Sequence, residues 1–296
     1  MSAPLAVIGG KTSWYWTATM GLLCAIICVW RGRQKDEEYR LPKWLCVVET
    51  VFFAIAAAEM ARWSTYCWED LGQNTLVPLT LITLALLNVK KGTDNAANVS
   101  SILFLLAAAI YAVVLAAGAK EIKAEWIVTP MGVPQWESVF VFLLPSVCAF
   151  LPGKKVEWKI CGILMTIFSV IINVWIFGTL SSRAAELSFP FYTFSRSLSF
   201  LGITERFESV ISVALTIGFY SVITLMFAAI RSIWQQQKES DRGLYISAAL
   251  AAGVVLLIKG IPPVILTAGA VILWIILPVL MEKLFQKKAE KWKKSA

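Results

Sequence analysis

The sequence predicts an all-α protein, a polytopic bundle of about nine transmembrane helices in which residues 1–296 form a single domain. Three observations predict this fold class. Hydrophobic residues make up 58% of the chain and charged residues only 16%, whereas a soluble domain carries about a quarter of its residues as Asp, Glu, Lys and Arg. The apolar residues are gathered into runs that approach the thickness of a bilayer. The 13 Trp residues favour membrane interfaces.

Nine apolar runs follow one another along the chain, and each is a predicted span. They cover residues 13–30, 44–67, 75–89, 99–118, 126–151, 160–180, 209–230, 244–258 and 264–281. The third and eighth runs are short. Each of these two either borrows flanking residues or stops short inside the bundle, where protein in place of lipid surrounds it.

The fifth run differs from the others because prolines and a glycine interrupt it. Pro130, Gly132 and Pro134 lie near its start, and Pro145 follows further on. Proline removes a backbone donor and clashes with the preceding turn, which predicts a broken helix. In transporters, broken helices surround the ligand. The alternative is a loop followed by one short helix, and the sequence does not choose between the two.

Basic residues are distributed unequally between alternate loops. Seven Lys and Arg residues fall on one side of the predicted membrane and nineteen on the other. The positive-inside rule therefore predicts a cytoplasmic C-terminus and an N-terminus outside. The basic tail, residues 282–296, suits anionic lipid. Because the basic residues lie in short loops between spans, the net charge of +8 requires no nucleic-acid partner. The N-terminal segment does not resemble a signal peptide, since its Lys11 follows the weakly apolar stretch.

The chain contains no His, which removes the commonest general base and the commonest metal ligand. Cys24 and Cys28 share a helix face, but no acidic residue accompanies them, so we expect no metal site. Cys67 has no evident partner, and no disulfide framework is implied. We therefore expect neither a cofactor nor an enzymatic activity.

Three ionisable residues lie in the second predicted span: Glu49, Glu59 and Arg62. Ionisable side chains at membrane depth are costly, so each is a functional hypothesis. Glu59 and Arg62 are three residues apart and share a helix face, and Glu49 lies ten residues before Glu59, near that face again. The group either lines a path for an ion or an amino acid, or forms an ion pair that joins two helices.

A second charged cluster opens the seventh span. Thr204 is a candidate N-cap, and Glu205 and Glu208 in the first turn suit the helix dipole. Arg206 is unfavourable at a helix start, which indicates a partner in a neighbouring element. We treat Glu205, Arg206 and Glu208 as a candidate gating or structural cluster.

The chain resembles the B subunit of GerA-type spore germinant receptors, the spore germination permease family of the amino acid–polyamine–organocation transporter superfamily. Residues 74–106 match a short Pro-containing helix, a basic-glycine turn and a helix that begins with small polar residues. Residues 136–159 match a helix ending in a Lys-rich turn, and 188–210 an aromatic-Pro segment leading into an Arg-Phe-Glu helix start. Residues 276–288 match the closing segment. The colinear order of these segments carries the resemblance.

The resemblance implies a LeuT-like fold of two inverted five-helix repeats. In this register residues 13–118 belong to the first repeat, whose first helix we expect to be absent, and residues 126–281 to the second. A half-helix of the family is shortened before Glu137, which joins Pro130, Gly132 and Pro134 in the candidate ligand path. Glu59 and Arg62 fall on the family's third helix, and Arg206 and Glu208 at the start of its eighth.

The resemblance implies a signalling role. Such a subunit sits with A-type and C-type partners in the inner membrane of a spore, or in the cell membrane of a spore-forming bacterium, and helps to sense a nutrient, here a small amino-acid-like ligand. One alternative is a small secondary amino-acid transporter coupled to protons or sodium through Glu49 or Glu59. The other is a membrane scaffold without transport.

Overall fold

The architecture is that of a computed structural model, and the part of the chain that it describes is almost entirely helical. That part comprises residues 14–34, 42–71, 75–127, 136–144, 146–147, 158–185, 187, 190–197, 207–235, 237, 240–277 and 280. No strand occurs within these ranges. The predicted all-α fold class is therefore confirmed.

Eleven α-helices are described, numbered here in chain order. They are α1 Trp14–Gln34, α2 Lys43–Trp63, α3 Leu76–Lys90, α4 Thr93–Gly118, α5 Ala124–Ile127, α6 Trp136–Leu143, α7 Trp158–Leu180, α8 Pro190–Ser197, α9 Phe207–Gln235, α10 Ser240–Leu257 and α11 Pro263–Ala270. A 3₁₀ segment, Ser64–Leu71, extends α2, and a π-helical segment, Val271–Ile276, continues α11.

Glycine and proline fix two of the connections. Gly92 separates α3 from α4 with φ +139°, and Gly260 separates α10 from α11 with φ +143°. These backbone conformations favour glycine because it has no Cβ. Pro262 and Pro263 follow Gly260 and begin α11, where a missing backbone donor costs nothing.

Helices α2, α3, α9 and α10 form the centre of the bundle, with α9 in contact with the other three. Two cross-helix hydrogen bonds set the directions of α2 and α9. The indole of Trp234 donates to Thr50 Oγ1 over 2.8 Å, and the indole of Trp68 donates to Thr216 Oγ1 over 2.9 Å. Because late residues of each helix meet early residues of the other, α2 and α9 are antiparallel.

The bundle has two ends, which we name after the arginines that lie there. At the Arg231 end α3 and α9 finish, and α2 and α10 begin. At the Arg62 end α2 and α10 finish.

The other helices pack against one another and, in part, on this centre. Helix α1 lies along α7, where Gly21 faces Thr166 so closely that a Cβ would meet its side chain at 2.6–2.9 Å. Helix α4 packs on α9, and the indole of Trp175 in α7 donates to the carbonyl of Leu115 in α4 over 2.6 Å. Helix α6 packs on α11, as the hydroxyl of Thr267 donates to the carbonyl of Trp136 over 2.9 Å.

Three described helical stretches are long and apolar enough to cross a membrane: Lys43–Trp68, Thr93–Glu121 and Ser209–Gln235. They differ in how much protein surrounds them, since 78% of the most apolar window of the last is buried but only 24% of that of Thr93–Glu121. Exposed Ile102 and Leu105 belong to this second stretch. An apolar helix that other helices leave largely exposed is suited to contact with lipid. The three long apolar stretches and this exposed surface are consistent with a membrane location.

Eight of the nine predicted runs coincide with a helix. The third is short, as expected, because the 15 residues of α3 extend about 22 Å, less than the bilayer core. The eighth, predicted from residue 244, borrows four flanking residues and begins at Ser240.

The fifth predicted run has helix at both ends of its interrupted part, in α5 and α6. Residues 128–135, with Pro130, Gly132 and Pro134, lie outside the described residues, as does Pro145. Helix α8 lies in a segment for which the sequence predicted no helix. It packs on α7 and α9, and Phe191 lies 5.3 Å from the ring of Tyr111 in α4.

Candidate functional site: the buried charges of α2

Helix α2 brings charged residues into the centre of the protein because its neighbours approach it closely. Its second half is rich in alanine, and Ala54, Ala56, Ala57, Ala58 and Ala61 are all completely buried. Small side chains allow helices to pack with their backbones close together in a membrane. Within this helix Glu49 is only 1% exposed and Glu59 only 2%.

Glu59 and Arg62 form an ion pair within α2, and the same arginine reaches a second helix. The guanidinium donates through Nη1 to Glu59 Oε1 and through Nη2 to the carbonyl oxygens of Val254 and Ile258. These carbonyls lie at the C-terminal end of α10, which carries partial negative charge. The carbonyl of Val254 also accepts the backbone amide of Ile258 over 3.1 Å. Arg62 thus adds a positively charged donor at the end of α10.

The carboxylate side of the pair also lies near main chain. The backbone amide of Ile261 interacts electrostatically with the Glu59 carboxylate. Ile261 directly follows Gly260 in the α10–α11 connection. Acting together, Glu59 and Arg62 therefore bind α2 to both the end of α10 and the chain leading into α11. This contact corresponds to the helix-joining alternative of the sequence analysis.

Glu49 lies apart from this pair. Ten residues of helix separate it from Glu59, which corresponds to about 15 Å along the axis. It is near Cys46, with which it interacts electrostatically, and this level of α2 faces the end of α9. There the hydroxyl of Thr50 donates a hydrogen bond to the carbonyl of Cys46 over 2.6 Å and accepts one from the indole of Trp234. The structure does not bring the three charged residues of α2 into one cluster.

Arg231, which the sequence analysis did not single out, makes a second arrangement of the same kind. It donates through Nη1 to the carbonyl oxygens of Val89 and Lys90, the latter over 3.1 Å, at the C-terminal end of α3. Its Nη2 lies 3.8 Å from a carboxylate oxygen of Asp241 in the first turn of α10. In the sequence Arg231 directly follows the long apolar run 209–230. Basic residues commonly flank membrane spans, so this position does not distinguish Arg231 from other flanking charges.

An aromatic group lies beside α2 and joins it to α6 and to the π-helical segment. Trp274 is fully buried, and its ring lies 5.4 Å from that of Phe53, 5.3 Å from that of Phe52 and 6.0 Å from that of Phe140. The ring of Trp63 meets that of Phe140 edge-on at 6.2 Å. Among the described residues, no acceptor lies within hydrogen-bond distance of the Trp274 indole nitrogen. Aromatic packing therefore holds this side chain in place.

The structure describes the other predicted site residues only in part or not at all. Pro130, Gly132, Pro134, Glu205 and Arg206 lie outside the described residues. Glu137 lies in the first turn of α6, and Glu208 in the first turn of α9. The side chains of both glutamates are outside the description.

Within the described residues, no group of three Cys, Asp or Glu side chains is arranged to hold a metal ion. Comparison of the chain with protein-family models finds no match, and a search of curated protein sequences finds none.

Proposed function

We propose that this protein is the permease-like integral membrane subunit of a spore germinant receptor, which helps to sense an amino-acid-like nutrient. The proposal of this family rests on four segments that resemble it in the same order along the chain. They are residues 74–106, 136–159, 188–210 and 276–288. The structural observation that carries the proposal is the contact of the Glu59–Arg62 pair with the α10–α11 connection. Sensing needs helices that shift relative to one another, and a buried pair in α2 that contacts the end of α10 and the α10–α11 connection couples their positions.

The proposal includes a membrane arrangement. Nine spans form a LeuT-like bundle with the C-terminus in the cytoplasm and the N-terminus outside. The Arg231 end is the cytoplasmic one, since it gathers Lys43, Lys90, Lys91 and Arg242. Labelling of single cysteines placed at Lys91 and at Lys259 with an impermeant thiol reagent tests the orientation. The cysteine at position 259 should react from outside, and the cysteine at position 91 only after the membrane is opened. The reverse result contradicts the arrangement.

In this proposal the protein acts in the inner membrane of a spore together with A-type and C-type subunits, and it catalyses no reaction. The test is affinity purification of the tagged chain from membranes of sporulating cells, followed by identification of what remains bound. We expect both subunit types in fixed proportion, and spores lacking the chain should lose the response to single L-amino acids. Unchanged germination with every amino acid, together with expression in growing cells, would contradict the proposal.

A small ion-coupled amino-acid transporter is the second candidate, and Glu49 is the observation that favours it. This carboxyl group is buried and lies outside the Glu59–Arg62 pair, as an ion-coupling residue in a transporter would. Uptake of labelled amino acids into proteoliposomes under a proton or sodium gradient tests this function. Transport that is lost in Glu49→Gln but kept in Thr83→Ala, an exposed polar position on α3, would establish it. Partner binding with neither uptake nor a germination defect would indicate a scaffold.

A further inference from the structure

The Arg231 end presents a surface where α3 and α10 lie side by side, and it combines cations with exposed apolar side chains. We propose that this surface, the α3–α10 face, binds one anionic phospholipid. The headgroup phosphate lies against Lys90, Lys91 and Arg242, and an acyl chain runs along the apolar side chains below. The inference depends on the membrane location and not on the function proposed above.

The cations are placed together by helix geometry. Lys90 and Lys91 are the last residue of α3 and the one after it, and both are exposed. The ammonium group of Lys90 lies 5.7 Å from the centre of the Tyr245 ring in α10. Arg242 precedes Tyr245 by three residues and therefore projects from the same side of α10. The cation–π contact thus bridges the two helices at headgroup level.

Directly below these cations the exposed side chains are apolar. Leu87 and Leu84 lie one and two turns below Lys90 and Lys91 on α3, with exposures of 52% and 48%. Ile246 on α10 is 55% exposed. A tyrosine such as Tyr245 suits the boundary between headgroups and acyl chains. The order of cation, aromatic ring and aliphatic side chain along one face matches the order of phosphate, glycerol and acyl chain in a phospholipid.

The charge at this end favours an anionic headgroup over a zwitterionic one. Among the side chains described there, Lys43, Lys90, Lys91 and Arg242 are exposed cations, and Asp94 and Asp241 are the exposed carboxylates. Asp241 lies beside Arg231 and also interacts electrostatically with Lys90, and Asp94 lies in the first turn of α4, where the helix dipole favours it. An excess of positive charge therefore remains at the α3–α10 face.

The Arg62 end contains a matched pair that lacks this excess. Lys123 lies 4.3 Å from the centre of the Trp126 ring, which is the same type of cation–π contact. The exposed carboxylates Glu121 and Glu125 lie two residues away on either side of Lys123. Since these acids balance the lysine, Lys123 provides a control with similar local chemistry and without net positive charge.

The test is native mass spectrometry of the purified full-length protein in detergent, titrated with phosphatidylglycerol or with phosphatidylcholine of the same acyl chains. We expect wild-type protein to hold one phosphatidylglycerol more tightly than phosphatidylcholine. Lys90→Gln should weaken phosphatidylglycerol binding about fivefold, because one cation near the headgroup is lost. Lys90→Arg should retain binding, and Lys123→Gln should leave it unchanged. Tyr245→Leu, which keeps every charge, should weaken binding by about twofold by releasing Lys90.

Three results would overturn the proposal. If Lys43→Gln, at the same end but on α2, weakens binding as much as Lys90→Gln, the attraction is diffuse and no site exists on this face. If phosphatidylcholine binds equally well, the face recognises acyl chains alone. If soluble glycerol phosphate displaces the lipid at a similar concentration, the ligand is a free phosphate.

Discussion

Arg62 and Arg231 make the same contact in two different surroundings. Each lies near the end of a central helix and donates to carbonyl oxygens at the C-terminal end of a neighbour, α10 for Arg62 and α3 for Arg231. Each also has an acidic partner. The side chain of Glu59 is 3% exposed and directly hydrogen bonded, whereas that of Asp241 is 66% exposed and 3.8 Å away.

The comparison separates two contributions that usually occur together. Donation to the carbonyls at a helix end is common to both arginines and needs no acid. The acidic partner matters where it is buried, because removal of one member of a buried pair leaves an uncompensated charge. At the surface the solvent screens the pair, and its contribution is small. The two ends of the bundle should therefore respond very differently to equivalent substitutions.

The largest effect is expected for Arg62→Gln. The substitution removes the donors to α10 and leaves Glu59 buried without its cation, which costs about 3–5 kcal/mol. Unfolding by SDS in mixed micelles, followed by tryptophan fluorescence, measures the loss of free energy. The Arg62→Gln/Glu59→Gln double variant should recover part of it. A double variant no better than the single one would mean that the buried charge is not the cause.

Glu59→Gln should have the next largest effect, a loss of about 2 kcal/mol from a charge-assisted hydrogen bond. The loss is smaller than for Arg62→Gln because Arg62 keeps its contacts with the carbonyls of Val254 and Ile258. The same SDS titration measures it. Equal losses for the two variants would contradict a separate contribution from the end of α10.

Arg231→Gln should lower the free energy of unfolding by about 1–2 kcal/mol, the value of hydrogen bonds to a charged donor. No buried carboxylate is left behind, since Asp241 is exposed. The free energy of unfolding of Arg231→Lys should lie between those of Arg231→Gln and the wild type, because an ammonium group cannot reproduce the planar fork of the guanidinium. A loss as large as that of Arg62→Gln would remove the distinction between the two sites.

Asp241→Asn should change the free energy of unfolding by only about 0.5 kcal/mol or less, because its carboxylate is exposed and screened. Repeating the titration at low and high salt sharpens this comparison. The small effect at Asp241 should diminish with salt, whereas the effect of Glu59→Gln should persist, as buried pairs are screened much less. A salt-sensitive Glu59→Gln would show that water reaches that pair.

Much of the fold followed from local sequence patterns. Runs of apolar residues predicted the helices, because a backbone in or near lipid must satisfy its hydrogen bonds within the segment. Helix α8 escaped prediction, since its eight residues, Pro190–Ser197, mix aromatic, hydroxyl and basic side chains without a long apolar run. The π-helical segment Val271–Ile276 escaped as well. Its residues are as apolar as those of an ordinary helix, so composition gives no signal for the change in hydrogen bonding.

The candidate site was predicted in part. The spacing of Glu59 and Arg62 was sufficient to predict that they share a face, because residues three apart are neighbours on a helix. The contacts of Arg62 with Val254 and Ile258 were not predictable, since 192 and 196 residues separate the partners. For the same reason Arg231 was counted only as a flanking charge.

By itself the sequence determined that this protein is a bundle of apolar helices, where most of those helices begin and end, and that α2 carries ionisable residues. Each of these properties depends on residues close together in the chain. The tertiary structure alone decided what the charges do: Arg62 and Glu59 hold the α10–α11 connection, Arg231 holds the end of α3, and Glu49 lies apart from both. The physical reason is that the C-terminal end of every helix carries partial negative charge and attracts cations. Which distant side chain supplies that cation depends on how the helices pack, and no local pattern records it.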